Sequence, residues 1–242
     1  GRSSVGGIFG RGSGKNLKIS DSSIVGRAGG SAIGGIIGAN NGVAFDTAIA
    51  DSISVLAKGN SYVGGVIGNG FVANNTYVLN SSIVQEGNYS YVGGILGYSY
   101  STSNVGIVNS TVKSSGNHTG GIAGMRKFYT STGAIVNNTT VSGTNYVGGS
   151  YGTISTCTVS RFLINATVFG TGNYVGRLAG NIDAVSTESS HPANINSVIV
   201  ANSEITGNNY VGGFAGSAAA LLPSSIFYNI LLVDNVNSTG SY

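Results

Sequence analysis

The chain has 242 residues and a formal net charge of +3, with 41 Gly, 2 Pro and only 8% charged residues. So few charges beside 41% hydrophobic residues exclude a disordered, charge-rich chain. A net charge this small gives no footprint for nucleic acid.

In chain order, the first predicted element is the glycine segment "SVGGIFG" at residues 4–10. It lies in a basic stretch where Arg2, Arg11, Lys15, Lys18 and Arg27 have Asp21 as their only acid. That stretch reads as a solvated end, with a site for an acidic partner or neighbouring subunit as the alternative. The segment then recurs as "AIGGIIG" (32–38), "YVGGVIG" (62–68), "YVGGILG" (91–97), "HTGGIAG" (118–124), "YVGGSYG" (146–152), "YVGRLAG" (174–180) and "YVGGFAG" (210–216). Its first glycines stand at 6, 34, 64, 93, 120, 148, 176 and 212, so the steps are 28, 30, 29, 27, 28, 28 and 36. A fixed period of this size is the mark of a repeat architecture. It also excludes a nucleotide loop, whose glycine motif occurs once and opens a helix.

A second marker moves with the first. An Asx follows a short apolar run and precedes Ser/Thr-rich sequence at Asp21, Asp51, Asn80, Asn109, Asn137, Asn165 and Asn202. Both markers stretch between the last two copies, which predicts one insertion loop at about 183–197. Each period reads as three short strands: the glycine segment, an apolar run such as "GIV" (106–108), and the β-branched stretch after the Asx, such as "NSTV" (109–112). The predicted fold is therefore all-β: a parallel β-solenoid of about eight coils of about 28 residues, one domain over residues 1–242, roughly 38 Å long. Stacking then gives each column a role. Glycine lets backbones pass closely and provides corner φ values; the Asx side chains form an inward hydrogen-bonded ladder. Ala32, Tyr62, Tyr91, His118, Tyr146, Tyr174 and Tyr210 form a broken aromatic stack.

The segments "YVGGVIGNG", "YVGGILGYS", "HTGGIAGMR" and "YVGGFAGSA" resemble the GLUG motif, a repeat of large secreted and surface-anchored proteins, including adhesins. The resemblance covers nearly the whole chain through eight copies. It departs at Arg177, where the second glycine is lost, and at Ser150-Tyr151, where the apolar pair is replaced. It implies an extracellular or cell-surface scaffold and no catalytic residues.

The residues predict no enzyme, no cofactor and no metal site. The acids are scattered, and the closest grouping, Asp183, Glu188 and His191, falls in the insertion and reads as a surface loop. Cys157 is the single cysteine and reads as a buried small hydrophobe. The nearest apolar run to a membrane span, around Pro223, is too broken to cross. The start at Gly1, with no initiator Met and no signal peptide, reads as a processed chain or an excised piece. Sequons outside the Asx column, at Asn74, Asn88, Asn117 and Asn237, are the expected acceptors if N-linked glycans are added. The expected function is an extracellular structural repeat protein that self-associates head-to-tail through its terminal coils into a fibre or surface array. An adhesin stalk presenting loops to glycans or proteins is the alternative. A polysaccharide-active enzyme lacks the carboxylates, and an ice-binding face lacks a regular Thr array.

Overall fold

A computed structural model describes residues 3–27, 30–40, 44–59, 62–88, 90–127, 130–155, 158–183, 194–219, 226–233 and 237–238. Their regular structure is β-strand throughout, with no helix among the described residues. The coils stack in parallel as a β-solenoid of about 7 turns, about 29 residues apart.

Most coils carry four strands rather than the three expected; in two coils the last two run together as Thr130–Gly143 and Thr158–Gly170, which leaves three. One coil consists of Tyr91–Gly93, Leu96–Ser99, Ser101–Val108 and Thr111–Ser114. The glycine segment supplies two of them because the chain bends between its glycine pair and its last glycine. At the bend Gly94 N–H donates to Gly120 of the next coil (3.1 Å). The two arms then press backbone against backbone: a Cβ added at Gly97 would lie 2.8 Å from the carbonyl carbon of Tyr62. First strands of successive coils form one 8-stranded sheet, second strands another, and third and fourth strands merge in a 14-stranded sheet. Close approach, not unusual φ, is what selects glycine. Among the described glycines only Gly59 and Gly133 adopt left-handed φ, and neither belongs to the glycine motif.

Apart from shifts at Ser3/Ser4 and Asn137/Thr139, the register is one-to-one, so equivalent side chains pile into columns. Val55, Ile83, Val112, Val141, Val168 and Ile205 are directly opposed from coil to coil, and each is fully buried. Ala50, Val78, Ile107, Val136, Ile164 and Val200 form a second such column. Inward β-branched residues on strands of period two account for one continuous core along the rod. The basic residues Arg11, Lys15, Lys18 and Arg27 are exposed.

The two departures from the motif are absorbed without loss of register. Val175 and Gly176 pair with Val211 and Gly212 as in every other coil. The Arg177 side chain enters the lumen, 1% exposed, and its Nη2 donates to the Ser203 carbonyl at 2.9 Å. Tyr151 is fully buried, its ring 5.8 Å from Phe162 and its hydroxyl 2.5 Å from Ser131 Oγ. The insertion lies between Asp183 and Asn194, which pair with Ser155 and Thr158 of the preceding coil. It ends earlier than residue 197, since the strand Asn194–Ala201 is already in register. Glu188, His191 and Cys157 lie outside the described residues.

Candidate functional site

The bend that lays one arm of the glycine segment on the other also brings two side-chain columns together on the surface. One is the aromatic column two residues before the glycine pair. The other follows the last glycine of the segment and contains Ala39, Asn69, Tyr98 and Met125 in register. Tyr62 and Tyr91 stack at 5.5 Å with planes 9° apart. The stack continues through His118 (4.8 Å), Tyr146 (4.8 Å), Tyr174 (4.9 Å) and Tyr210 (4.9 Å). His118, Tyr146, Tyr174 and Tyr210 hold left-handed φ, between 53° and 62°. The cost of that backbone, about 1 kcal/mol per residue, is offset by ring contact of about 0.5–1.5 kcal/mol per pair.

Tyr98 sets its edge against both Tyr62 (5.8 Å, 74°) and Tyr91 (6.2 Å, 75°). Tyr100 sets its edge against Tyr98 at 5.4 Å, and Phe71 lies flat on Tyr100 at 4.2 Å. These rings, with Asn40, Asn69, Met125 and Lys127, line an open groove of about 650 Å³. Burial, the hydrogen bond with Tyr100 and the surrounding phenols push the Tyr98 hydroxyl far above the usual tyrosine range. It stays protonated at any physiological pH. Burial holds His118 at about 4, below its usual 6.5, so the ring in the stack is neutral. Its Nδ1 is 2.8 Å from Thr153 Oγ1.

The groove is therefore uncharged except at Lys127: aromatic faces beside amides and phenols that both donate and accept. Sequence reasoning identified Tyr62, Tyr91 and His118 but missed Tyr98, Tyr100, Phe71 and Asn69. No group of three or more His, Cys, Asp or Glu could hold a metal ion among the described residues. No helix among them is long and apolar enough to cross a membrane.

The Asx ladder forms, with three corrections. It faces outward: Asp21, Asn80, Asn109 and Asn202 are exposed. Its left-handed corners are Asp21, Ser52, Asn80, Asn109, Asn138 and Asn202, so Ser52 and Asn138 stand where Asp51 and Asn137 were expected. The inward columns decide this. In most coils four residues separate the two core positions, as between Ala50 and Val55 or Val136 and Val141, and the corner is the second residue after the first. The coil of Ile164 and Val168 is one residue shorter, so Asn165 stays in the strand opposite Asn137. The side chains still chain together. Asn80 donates to Asp51 (2.9 Å), Asn109 to Asn80 (3.3 Å), Asn138 to Asn109 (2.9 Å) and Asn165 to Asn137 (2.9 Å). After the corners Asn80, Asn109, Asn138 and Asn202 a Ser or Thr turns inward; Ser110 Oγ donates to the Val108 carbonyl (2.8 Å) and accepts from Ser81 N–H (3.0 Å).

Two further ladders were not anticipated. Asn75 donates to Asp46 (3.0 Å) and Asn104 to Asn75 (2.8 Å), at a second column of left-handed corners. Asn145 donates to Asn117 (3.0 Å) and Asn209 to Asn173 (3.0 Å) beside the aromatic stack, so Asn117 belongs to a ladder after all.

Replacing Asn109 by Ala should cost about 1–2 kcal/mol, because it removes the side-chain hydrogen bonds of the ladder and puts at a left-handed φ a residue that tolerates it less well than Asn. Replacing it by Gly keeps the backbone and should cost less than half of that. Thermal melts that rank Gly at or below Ala would refute the corner assignment.

Comparison with protein-family models, with curated proteins and with solved structures found no match.

Proposed function

We propose that this chain is a rod-forming module of an extracellular or cell-surface protein, related to the GLUG repeats, and that copies stack head-to-tail into a fibre or array. The observation that carries this reading is the one-to-one parallel register held through eight layers. Each coil presents the next with an edge of its own kind, so a coil of a second copy meets the same template. Parallel edges that are not covered pair with whatever strand is complementary. A head-to-tail contact that does not close into a ring makes a filament.

The surface chemistry supports a structural role as well. Ladders made mostly of Asn, with Asp46 and Asp51 as the acidic members, and a tyrosine stack stabilise coil against coil with little charge, which suits a protein outside the cell facing variable salt. Electron microscopy of the purified native protein at micromolar concentration tests the reading. Filaments that lengthen with concentration are expected; discrete rods of one fixed length at every concentration would defeat it.

N-linked glycans fit the same setting, and the structure ranks the sequons. Asn88 is exposed, Asn74 and Asn117 are half-buried, and Asn237 lies in the short strand Asn237–Ser238. Asn109 and Asn165 each use Nδ2, the atom a glycan would occupy, to donate along the ladder. Mass spectrometry of protein secreted by a glycosylating host should find Asn88 occupied before Asn109 or Asn165; a heavily occupied Asn165 would contradict it.

A further inference from the structure

Beyond any scaffolding role, the aromatic groove has the makings of a ligand site, and we propose that it binds the pyranose rings of a carbohydrate chain. Three observations converge. The groove holds about 650 Å³, within the range of roughly 300–1,000 Å³ usual for ligand sites. Its wall offers a flat apolar platform: Phe71 is 39% exposed, with one face supported by Tyr100 at 4.2 Å. A ring held from behind in this way presents its other face without loss of side-chain freedom on binding.

Apart from Met125 and Lys127, the remaining lining is polar but neutral. Asn40 is only 7% exposed, Asn69 is beside it, and Tyr98 keeps its proton. A pyranose has the matching faces: a C–H surface that packs on an aromatic ring, and a rim of hydroxyls that both donate and accept. Amides and phenols satisfy such a rim, whereas a groove for a peptide strand would need an open backbone edge. The second strands that form this wall are already paired on both sides, as Ile67–Asn69 is with the coils before and after it. A peptide therefore has no edge to extend here.

The rings are fixed by the fold. Tyr62, Tyr91 and Tyr98 brace one another, and the Tyr100 backbone carbonyl accepts from the buried Arg126 at 3.2 Å. Lys127 at the margin decides between sources. A neutral glycan ignores it; a uronate-containing one pairs with it.

The test is a titration of the intact protein with hexasaccharides of glucose, mannose, xylose, N-acetylglucosamine and galacturonic acid. The chain has no Trp, and four of its 13 Tyr line the groove, so the change in tyrosine emission on titration is read against the same titration of Phe71→Ala. At least one of these probes should bind with a dissociation constant below about 1 mM. Phe71→Ala should weaken it by about tenfold or more, and Phe71→Tyr should retain it, with circular dichroism checking that both variants keep the strand signal. Binding of galacturonate that is lost in Lys127→Gln or at high salt identifies an acidic glycan, and binding indifferent to both identifies a neutral one. No binding by any of the five probes at about 10 mM, or binding unchanged in folded Phe71→Ala, would overturn the proposal. Because none of these readouts depends on filaments, a failure here leaves the rod reading standing, and the reverse holds.

Discussion

Replacing Gly93 by alanine is expected to remove the folded state, whereas replacing Gly133 by alanine should leave a folded, modestly weakened protein. A Cβ at Gly93 would lie 2.6 Å from the Ala123 Cα and 2.7 Å from the Ile122 carbonyl oxygen, both in the backbone of the next coil. Those atoms cannot yield singly. Ile122 oxygen already accepts from Ile95 N–H and Leu96 N–H at 3.0 Å each, so moving it breaks the ladder on which the next coil is built. Clashes against paired backbone belong to the rare class of substitution that costs more than about 4–5 kcal/mol, against a total stability of about 5–15 kcal/mol. Gly133 is the opposite case. Its nearest neighbours to a new Cβ are 3.7 Å away, and only its φ of 65° opposes a side chain. The cost there is about 1–2 kcal/mol. Soluble yield, circular dichroism and melting temperature separate the two. Melting points within a few degrees of each other would refute close backbone approach as the reason for glycine in this column.

Which parts of this fold were legible in the sequence follows from what a column records. Inward positions such as Val112 and Val141 repeat because each meets the same neighbours, so the period, the parallel stacking and the single core could all be read from spacing. The bend inside the glycine segment could not. Gly93 and Gly97 make it by close approach between arms and Gly94 by close approach to Gly121 of the next coil, and a run of seven small and β-branched residues reads equally well as one straight strand. The corner residues were misplaced by one at two coils for a similar reason. "DS" at 51–52 and "NN" at 137–138 each offer two residues able to turn left-handed, and only the spacing between core columns chooses. The sequons of the Asx column, Asn80, Asn109 and Asn138, follow from that corner: an exposed Asn, an inward Ser or Thr, then an outward Ser or Thr in the next strand. Fold chemistry accounts for these Asn-x-Ser/Thr triplets without any modification.

The groove was invisible for the contrary reason. Tyr98 stands in a column that otherwise holds Ala39, Asn69 and Met125, and Phe71 and Tyr100, opposed from successive coils, lie outside the columns that the glycine and Asx markers define. The available signal was local: "GYSY" after one glycine segment and "GNGF" after the one before it concentrate aromatics on two successive levels of the rod. A repeat protein maintains its columns for stability, and what breaks the columns is free to differ. Residues that break the pattern and still come together are the ones to examine for function.

His118 makes the stability of the stack depend on pH, and it does so in one direction. Its ring lies between Tyr91 (4.8 Å) and Tyr146 (4.8 Å, 4° between planes), where burial holds its pKa at about 4 against 6.5 in the unfolded chain. The folded state therefore disfavours the imidazolium. Above about pH 6.5 the ring is neutral in both states and the full stability is present. As pH falls from 6.5 towards 4 the unfolded chain takes up a proton that the folded chain refuses, and stability drains away. Below about pH 4 both states are protonated and the loss stops growing. The size is on the order of 3 kcal/mol, or about 6–12 °C in melting temperature for a domain of this length. Other groups titrate in the same window, so the measurement is a difference between two proteins. His118→Tyr restores the residue found at this position in the flanking coils, where Tyr146 already holds the same left-handed backbone. The variant gives up the contact with Thr153 Oγ1 but loses the titrating group. Melting temperatures followed from pH 7.5 to 3.5 should fall more steeply for the native chain than for the variant, and the two curves should diverge between pH 6.5 and 4. Parallel curves across that interval would mean that the ring reaches water in the folded protein and that the stack is looser than its 4.8 Å spacings indicate.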